Sequence, residues 1–512
     1  MTKHLVLNIF ILAIFIISIL FIFEGHTGLS LGDEGFLWYG AQRVMLGEVP
    51  IRDFMSYDPG RYYYSAALMS FWGNNGIMAL RGAVAIFQTL GLFIGLLLIA
   101  QTKKKQNVLY LLVSAITLTA WMFPRHKLFD ISLSIFLIGI LTFLIINATS
   151  RRYFITGVSV GLIAVFGRNH GVYGVVGSLA ILLWLNINRT HGPKLITGFA
   201  FWVGGVVIGY LPIILMGLLV PDFADAFIDG IKNLIETGDT NLPLPIPWPW
   251  RVNFTILSLD SAIRAVWVGL FFIGIIIFSV LSIFWVVLQK FHHKPVSPTL
   301  VATSFLSLPY AHLAFSRADI SHLAQGSFPL LIGCLILLST QKVKIKWPLV
   351  LLLCTTSLEI MSASHPGWQC YLSKQCVTIE ISGSHLLVNP NIANDVVLLR
   401  QLADQYTPEG QSFIAAPFLP GAYALLERKS PVRDIYPIKP RSLAFQKAEI
   451  EKMQASNVRF AIIIDLALDG REELRYRNTN SIIYQHIMDH FEKLPSTTNP
   501  NMLIYKAKVK TS

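Results

Sequence analysis

Residues Leu5–Phe23 read LVLNIFILAIFIISILFIF, an apolar run without a charged side chain. A helix needs about 20 such residues to cross a bilayer, so this run is long enough to span one. It follows Lys3 and His4 as a signal peptide would, but no small-x-small cleavage motif precedes Glu24. We therefore interpret the run as an uncleaved first transmembrane helix.

Similar runs recur along the chain. The 512 residues are 54% hydrophobic and only 14% charged, which lies outside the range of soluble domains. The net charge of +12 is spread over short clusters instead of one basic face, which argues against nucleic acid as a partner. We expect an α-helical polytopic membrane protein with about eleven transmembrane helices. Their runs lie near residues 5–23, 77–100, 108–123, 128–147, 153–167, 171–187, 195–219, 263–289, 298–315, 326–340 and 347–361.

The basic residues between the runs predict the orientation. Lys and Arg concentrate in short cytoplasmic loops. With the N-terminus in the cytoplasm, every even-numbered loop is cytoplasmic and basic, and the C-terminal segment lies outside. The cytoplasmic clusters are Lys103 to Lys105, Arg151 with Arg152, Arg189 with Lys194, Lys290 with Lys294, and Lys342, Lys344 and Lys346. We expect a multi-pass protein of the bacterial inner (cell) membrane.

The hydropathy falls from about Ser362, where the pattern becomes that of a soluble α/β domain. We divide the chain into a transmembrane domain, residues 1–361, and an outer α/β domain, residues 362–512. The first has an outer loop at 24–76 and a later one at 220–262. The predicted strands are Leu386–Val388, Ser412–Ala415, Arg459–Ile464 and Met502–Tyr505, and the predicted helices are Ile392–Tyr406 and Ser442–Ser456.

Four cysteines are too few for a disulfide framework. Cys334 and Cys354 lie in apolar runs, where a thiol behaves as a small hydrophobic group. Cys370 and Cys376 lie at the start of the predicted outer domain, where an oxidising compartment preserves disulfides. The sequence leaves open whether these two form one.

The first outer loop does not have the composition of a linker. It reads LGDEGFLWYGAQR at Leu31–Arg43, then GEVPIRDF at Gly47–Phe54 and SYDPGRYYY at Ser56–Tyr64. Acids alternate with aromatics and glycines, which is typical of a surface packed at the membrane interface. Asp33 also begins a predicted helix, so its carboxylate could instead cap that helix.

This loop resembles the glycosyltransferase C superfamily, polytopic enzymes that include protein O-mannosyltransferases, aminoarabinose transferases of lipid A and oligosaccharyltransferases. Its members place an acidic residue, often in a pair, in the first outer loop after the first span, as Asp33-Glu34 stands here. The stretches Tyr39–Gln42, Gly47–Asp53 and Tyr57–Tyr63 extend the likeness to bacterial members. The resemblance covers about the first 340 residues, and the C-terminal domain is too generic to align.

The resemblance implies transfer of a sugar from a polyprenyl-phosphate carrier. Such a donor already has a good leaving group, so the enzyme chiefly needs a base for the acceptor hydroxyl and cations for the departing phosphate. The family pattern assigns the base to Asp33 and a supporting or metal-binding role to Glu34. It implies acceptor-side or structural support from Asp58, Arg61, Tyr62 and His322.

Outer-loop cations are the candidates for binding the donor phosphate. In order of preference they are Arg317, Arg168, Arg125 and Lys127, each between apolar runs. Each cation has a structural alternative, because Lys and Arg side chains at helix ends can extend to the membrane interface at small cost. Asp319 could instead pair with Arg317, and His322 could be a structural hydrogen-bond partner. A divalent metal is left open, because the outer histidines lack the spacing of a zinc motif. They are His126, His170, His312 and His322.

We expect a membrane glycosyltransferase that moves a hexose or pentose from the lipid-linked donor to a glycan, lipid or protein acceptor outside, with inversion. The predicted partners are that donor, membrane lipid and the acceptor, with no certain cofactor. The alternative is a transporter or flippase of a lipid-linked or polyanionic substrate, which would also need membrane-embedded cations. A carrier would keep its key charges near the midplane on broken helices.

Overall fold

The structure is a computed structural model that describes residues 2–101, 107–189, 192–238, 241–495, 499 and 501–508. The predicted basic cluster at Lys103 to Lys105 lies outside these residues. The helices are α1 (Lys3–Glu24), α2 (Asp33–Met45), α3 (Pro59–Phe71), α4 (Ile77–Ala100), α5 (Val108–Ala120), α6 (Leu128–Ile146), α7 (Ser150–Phe166), α8 (Arg168–Asn186), α9 (Leu195–Leu219), α10 (Phe223–Thr237), α11 (Leu259–Phe291), α12 (Pro298–Ser316), α13 (Ile320–Gly326), α14 (Phe328–Ser339), α15 (Val343–Ser362), α16 (Pro366–Ser373), α17 (Pro390–Tyr406), α18 (Pro420–Leu425), α19 (Leu443–Ala455), α20 (Tyr476–Thr479) and α21 (Ser481–His490).

Each predicted apolar run coincides with one of these helices, so the prediction of a polytopic α-helical membrane protein is confirmed. Six helical segments of the described chain are long and apolar enough to cross a bilayer: α1, α4, Arg125–Ile146, α9, α11 and α15. The pair α13 and α14 passes the same test jointly, with a bend of 52° at its break. The number of eleven spans stays a prediction, because several helices are shorter than a bilayer requires.

The chain divides into two compact units, which are described separately. The membrane unit comprises residues 1–25 and 84–369, and the mixed unit comprises residues 26–83 and 370–512. Residues 26–83, called here the acidic segment, thus share a unit with the C-terminal region. The functional domain boundaries given above stay a prediction.

In the membrane unit, α7 and α9 approach each other through glycines. A Cβ atom added at Gly157 would lie 2.1 Å from the carbonyl oxygen of Trp202. A Cβ atom at Gly209 would lie 2.1 Å from the carbonyl oxygen of Val158. Both distances are far below a van der Waals contact, so only glycine permits this packing. Small residues at such spacing let membrane helices pack closely where no hydrophobic effect drives them together.

The mixed unit contains a four-stranded sheet of order β3-β4-β6-β5 and a separate hairpin of β1 and β2. Strand β4 is parallel to β3 and antiparallel to β6, with Ile462 opposite Ile504. The α/β character predicted from the sequence is confirmed. The strands are β1 (Val377–Ile381), β2 (Ser384–Val388), β3 (Phe413–Ala416), β4 (Phe460–Ile464), β5 (Phe491–Lys493) and β6 (Met502–Ala507).

Four of the six strands were predicted, and β1 and β5 were missed. Strand β5 has only three residues, two of them exposed, so it carries almost no hydrophobic pattern. Strand β1 is exposed along most of its length and pairs with β2 through a tight turn at Ser382-Gly383, where both φ angles are positive. Cys370 and Cys376 are joined by a disulfide just before β1.

The acidic segment packs onto the C-terminal part of the mixed unit. The amide of Gly28 donates to the carbonyl of Leu387, and the amide of Gly421 donates to the carbonyl of Leu31. A Cβ atom at Gly35 would lie 2.4 Å from the Cα atom of Gly421, so α2 and α18 touch backbone to backbone. These contacts fix the position of the first turn of α2.

Candidate functional site

Asp33 lies in the first turn of α2. The capping position is Gly32, and the Asp33 amide donates to the Ser30 hydroxyl at 3.1 Å. Asp33 is therefore the first helical residue, and the capping position that was the alternative for it belongs to Gly32. Its carboxylate is half-buried at the helix N-terminus, where the helix dipole favours a negative charge.

Tyr436 holds the Asp33 carboxylate. Its hydroxyl donates to Asp33 Oδ1 at 2.8 Å. The Tyr436 ring lies between Phe36 and Phe418, with ring centroids 5.4 and 5.5 Å away. A hydrogen bond to a charged acceptor is stronger than one between neutral groups, and the packed ring cannot swing away easily. One oxygen of Asp33 is thus fixed by a rigid donor.

Glu34 has a different environment from its neighbour. Arg81 donates to both of its carboxylate oxygens, at 2.8 and 2.7 Å, and also to the carbonyl of Gly28 at 2.7 Å. The side chains of Glu34 and Arg81 are only 7% and 2% exposed. This bidentate ion pair ties α2 to α4 and uses both oxygens of Glu34, so the arrangement does not fit a metal ligand at Glu34.

Asp58, Arg61 and Tyr62 lie at the start of α3, and all three are buried. Asp58 occupies the capping position, and the Arg61 guanidinium lies over the Tyr57 ring at 4.8 Å from its centroid. The Tyr62 hydroxyl accepts from the Tyr57 amide at 3.1 Å. Arg61 and Tyr62 thus both contact Tyr57, and the support role predicted for all three residues stays a prediction.

Other charges of the acidic segment are also matched by opposite charges. Arg43 donates to Glu48 at 2.9 Å, and Lys429 lies 2.7 Å from the same carboxylate. Burial alone would raise the pKa of Glu48, but the hydrogen bonds from Arg43 and Lys429 outweigh it and the pKa is lowered. Arg52 binds both oxygens of Asp53 at 2.8 Å.

The four predicted phosphate-binding cations lie in the membrane unit, each at a helix boundary. Arg125 and Lys127 form a short 3-10 helix before α6, and Arg125 donates to the carbonyl of Glu24 at 2.9 Å. Arg168 is the first residue of α8 and lies over the Phe227 ring, 5.0 Å from its centroid. Arg317 follows α12 and donates to the carbonyl of Leu242 at 3.0 Å.

Arg317 is joined to His322 through Asp319. Arg317 donates to Asp319 Oδ2 at 2.7 Å, and the amide and Nδ1 of His322 lie 2.9 and 2.8 Å from Oδ1. Burial alone would raise the pKa of Asp319, but its bonds to His322 and Arg317 outweigh it and lower the pKa to about 2. Both alternatives considered for these residues, a salt bridge and a structural histidine, are present in the structure.

A buried chain of polar side chains joins the segments that carry these cations. His170 Nε2 lies 3.0 Å from Asp130 Oδ1, and His170 Nδ1 lies 2.7 Å from the Tyr310 hydroxyl. Asp130 is near the start of α6, His170 near the start of α8 and Tyr310 near the end of α12. The chain therefore brings together the helix ends that bear Lys127, Arg168 and Arg317.

Sequence reasoning missed Arg81, Asp130 and Tyr436. Two of them had a signal, because Arg81 and Asp130 are charged residues inside apolar runs, and such residues normally have a paired or functional role. Tyr436 had none. The described residues contain no group of three or more His, Cys, Asp or Glu side chains that could hold a metal ion.

No family model and no curated protein sequence matches the chain. Among solved structures it aligns with ArnT from Cupriavidus metallidurans in the apo state, at TM-score 0.49 and 10% identity, over 98% of this chain and 97% of the other. It also aligns with the apo oligosaccharyltransferase of Archaeoglobus fulgidus, at TM-score 0.48 and 11% identity, over 100% of this chain and 75% of the other.

A third alignment, with the archaeal oligosaccharyltransferase AglB bound to an inhibitory peptide and a dolichol-phosphate, has TM-score 0.48 and 11% identity and covers 99% and 74% of the two chains. ArnT and the archaeal enzyme are both members of the glycosyltransferase C superfamily that the Asp33-Glu34 segment resembles. Because these three TM-scores are below 0.5, the alignments assign no function to this chain.

Proposed function

We propose that the protein is a membrane glycosyltransferase that uses a polyprenyl-phosphate-linked sugar as donor and modifies a glycan, lipid or protein acceptor on the outer face. The observation that carries this proposal is the Asp33 carboxylate, held by Tyr436 at the start of α2. It stands in the segment whose acids and aromatics resemble those of the superfamily.

Asp33 acts as the general base. It takes the proton from the acceptor hydroxyl while that oxygen forms a bond to the anomeric carbon of the sugar. The bond between this carbon and the donor phosphate breaks, and its electron pair leaves with the phosphate oxygen. A single displacement from the opposite face inverts the configuration. Tyr436 positions the base, and the Glu34–Arg81 pair fixes the helix that carries it.

Arg317, Arg168, Arg125 and Lys127 are proposed to bind the donor phosphate. The helix ends that bear Lys127, Arg168 and Arg317 are joined by the hydrogen bonds among Asp130, His170 and Tyr310, which supports a common role for these cations. Fixed cations stabilise the charge that develops on a leaving phosphate without reorganisation cost. Asp58, Arg61, Tyr62 and His322 act as supports of these two groups.

A lipid-linked carrier or flippase is the second candidate, and the bend of 52° between α13 and α14 is the observation that favours it. Broken helices form the ion and substrate sites of many transporters. The discriminating assay places purified protein in proteoliposomes with labelled donor. Donor that crosses the bilayer without any glycosylated product supports the carrier, whereas product that depends on acceptor supports the transferase.

The experiment that tests the transferase compares surface glycans of wild-type, deletion and Asp33→Asn cells by mass spectrometry. We expect the same sugar to be absent from the deletion and the Asp33→Asn cells, and present in cells with Asp53→Asn, a matched change in the same segment. Identical glycans in all four strains would contradict the proposal. The missing sugar identifies the donor group and the acceptor.

A further inference from the structure

A cavity of about 250 Å³ lies at one end of several helices in the membrane unit. It is called here the basal pocket, and its lining includes Asn147, Ala148, Tyr153, Asn186, Arg189 and Lys290. These residues come from the end of α6, the start of α7, the ends of α8 and α11 and the loop that precedes α9. The positive-inside pattern predicts that this end faces the cytoplasm, and the proposed transfer reaction does not use it.

The charge of the basal pocket has one sign. Among the described residues, Arg189 and Lys290 line it, and no carboxylate does. The sequence contains no Asp or Glu at all in residues 145–160, 180–200 and 283–300, the three stretches that build the pocket. Basic loops are expected on a cytoplasmic face, but a concave site without a single counter-charge is a more specific arrangement.

Lys290 is held in place. Its ammonium lies 4.5 Å from the centroid of the Trp184 ring, and the Trp184 indole donates to the carbonyl of Val286 at 3.1 Å. The Asn188 amide donates to the carbonyls of Lys290 and Phe291, at 3.3 and 3.4 Å, and so ties the end of α8 to the end of α11. A cation–π contact orients the charge without neutralising it.

Gly192 is one of the residues that line the basal pocket. This residue has φ of +88°, and a Cβ atom there would lie 2.5 Å from the carbonyl oxygen of Ala148. The loop before α9 therefore closes against the loop after α6 at a distance that only glycine allows. Asn147 and Asn186 also line the pocket, and their side-chain amides can donate hydrogen bonds to an anion alongside Arg189 and Lys290.

We propose that the basal pocket binds the phosphate headgroup of an anionic glycerophospholipid. Basic pockets between membrane helices on the cytoplasmic side suit such headgroups. The open mouth admits the glycerophosphate, while the apolar helix surfaces beside it accommodate the acyl chains. The same chemistry would accept a free phosphate ester, so the test separates the two sources.

The experiment is native mass spectrometry of the full-length protein in detergent, titrated with phosphatidylglycerol or with zwitterionic phosphatidylcholine. The test variant is Arg189→Gln with Lys290→Gln. The matched control, Lys342→Gln with Lys344→Gln, removes the same charge from exposed residues of the same predicted face. Ala148→Phe fills the pocket without changing any charge. Thermal unfolding of each variant checks that it is folded.

We expect the wild type to prefer phosphatidylglycerol, and the test variant to lose that binding about tenfold, as does Ala148→Phe, while the control stays near wild type. Competition by millimolar glycerol phosphate assigns the site to a free phosphate ester and overturns the lipid assignment. Equal weakening in the test and control variants, or unchanged binding in both the test variant and Ala148→Phe, overturns the site itself.

Discussion

The acidic segment and the basal pocket use charge in opposite ways. In the acidic segment the described ion pairs join Glu34 to Arg81, Glu48 to Arg43 and Asp53 to Arg52, and they stiffen the helices that carry them. In the basal pocket Arg189 and Lys290 line a cavity whose described lining contains no acid. The difference teaches that the paired charges of the acidic segment stiffen the helices that carry them, whereas the two cations of the basal pocket are the basis of the proposed anion site.

The largest effect should come from breaking the buried pair in the acidic segment. Glu34→Gln leaves the Arg81 guanidinium, which is 2% exposed, without its carboxylate. Removing one partner of a buried ion pair typically costs about 3–5 kcal/mol, so we expect a strong loss of thermal stability and of correctly inserted protein. Yield and unfolding temperature in detergent measure it.

The control for this change is the double replacement Glu34→Leu with Arg81→Met, which removes both charges together. If pairing is what matters, the double variant recovers much of the stability lost by Glu34→Gln. A double variant that is no more stable than the single one would mean that Arg81 has another indispensable partner.

Gly35→Ala tests the backbone contact that positions α2. The new methyl group would lie 2.4 Å from the Cα atom of Gly421, which cannot move without shifting α18. We expect destabilisation of about 1–3 kcal/mol, the usual cost of overpacking. Gly204→Ala in α9 is the matched control, because nothing lies within 4 Å of its added Cβ atom. Thermal unfolding of the two variants should therefore differ clearly.

Tyr436→Phe removes the donor to Asp33 but keeps the ring between Phe36 and Phe418. We expect kcat for transfer to fall about tenfold, because the base is no longer held in position. The folded state should lose about 1.5–3 kcal/mol, because a hydrogen bond to a charged group is lost. Tyr406→Phe, on α17 in the same unit, should leave the rate unchanged. Equal rates for Tyr436→Phe and wild type would show that Asp33 needs no positioning.

The smallest effect on folding and transfer should come from the basal pocket. Arg189→Gln with Lys290→Gln breaks no ion pair with the pocket lining, since that lining contains no carboxylate. We expect a stability change of about 0.5–1 kcal/mol, the size of the lost cation–π contact between Lys290 and Trp184, and an unchanged transfer rate. Unfolding and transfer assays in lipid-free detergent measure both. A large loss of stability or of transfer rate would show that these two cations, like the paired charges of the acidic segment, support the fold or the reaction.

The sequence predicted the membrane helices well because each is a long apolar run. It made Asp33 a candidate base because the acid pair stands in the first outer loop, and that role stays a prediction. It could not predict Tyr436, which is 403 residues from Asp33 along the chain and meets it only through tertiary packing. A paired or functional role for Arg81 could have been predicted, since its charge interrupts an apolar run. The close contact of Gly35 with Gly421 leaves no periodic signal at either position.

The transfer rate of Asp33→Asn in proteoliposomes tests the central claim most directly. The change keeps the shape of the side chain and removes its basicity, so we expect the rate to fall by roughly 10²–10⁴-fold, the usual contribution of a general base. Asp53→Asn, whose residue is held by Arg52 and the Val49 amide, should retain most of the wild-type rate. Transfer at the wild-type rate by normally inserted Asp33→Asn protein would contradict the account.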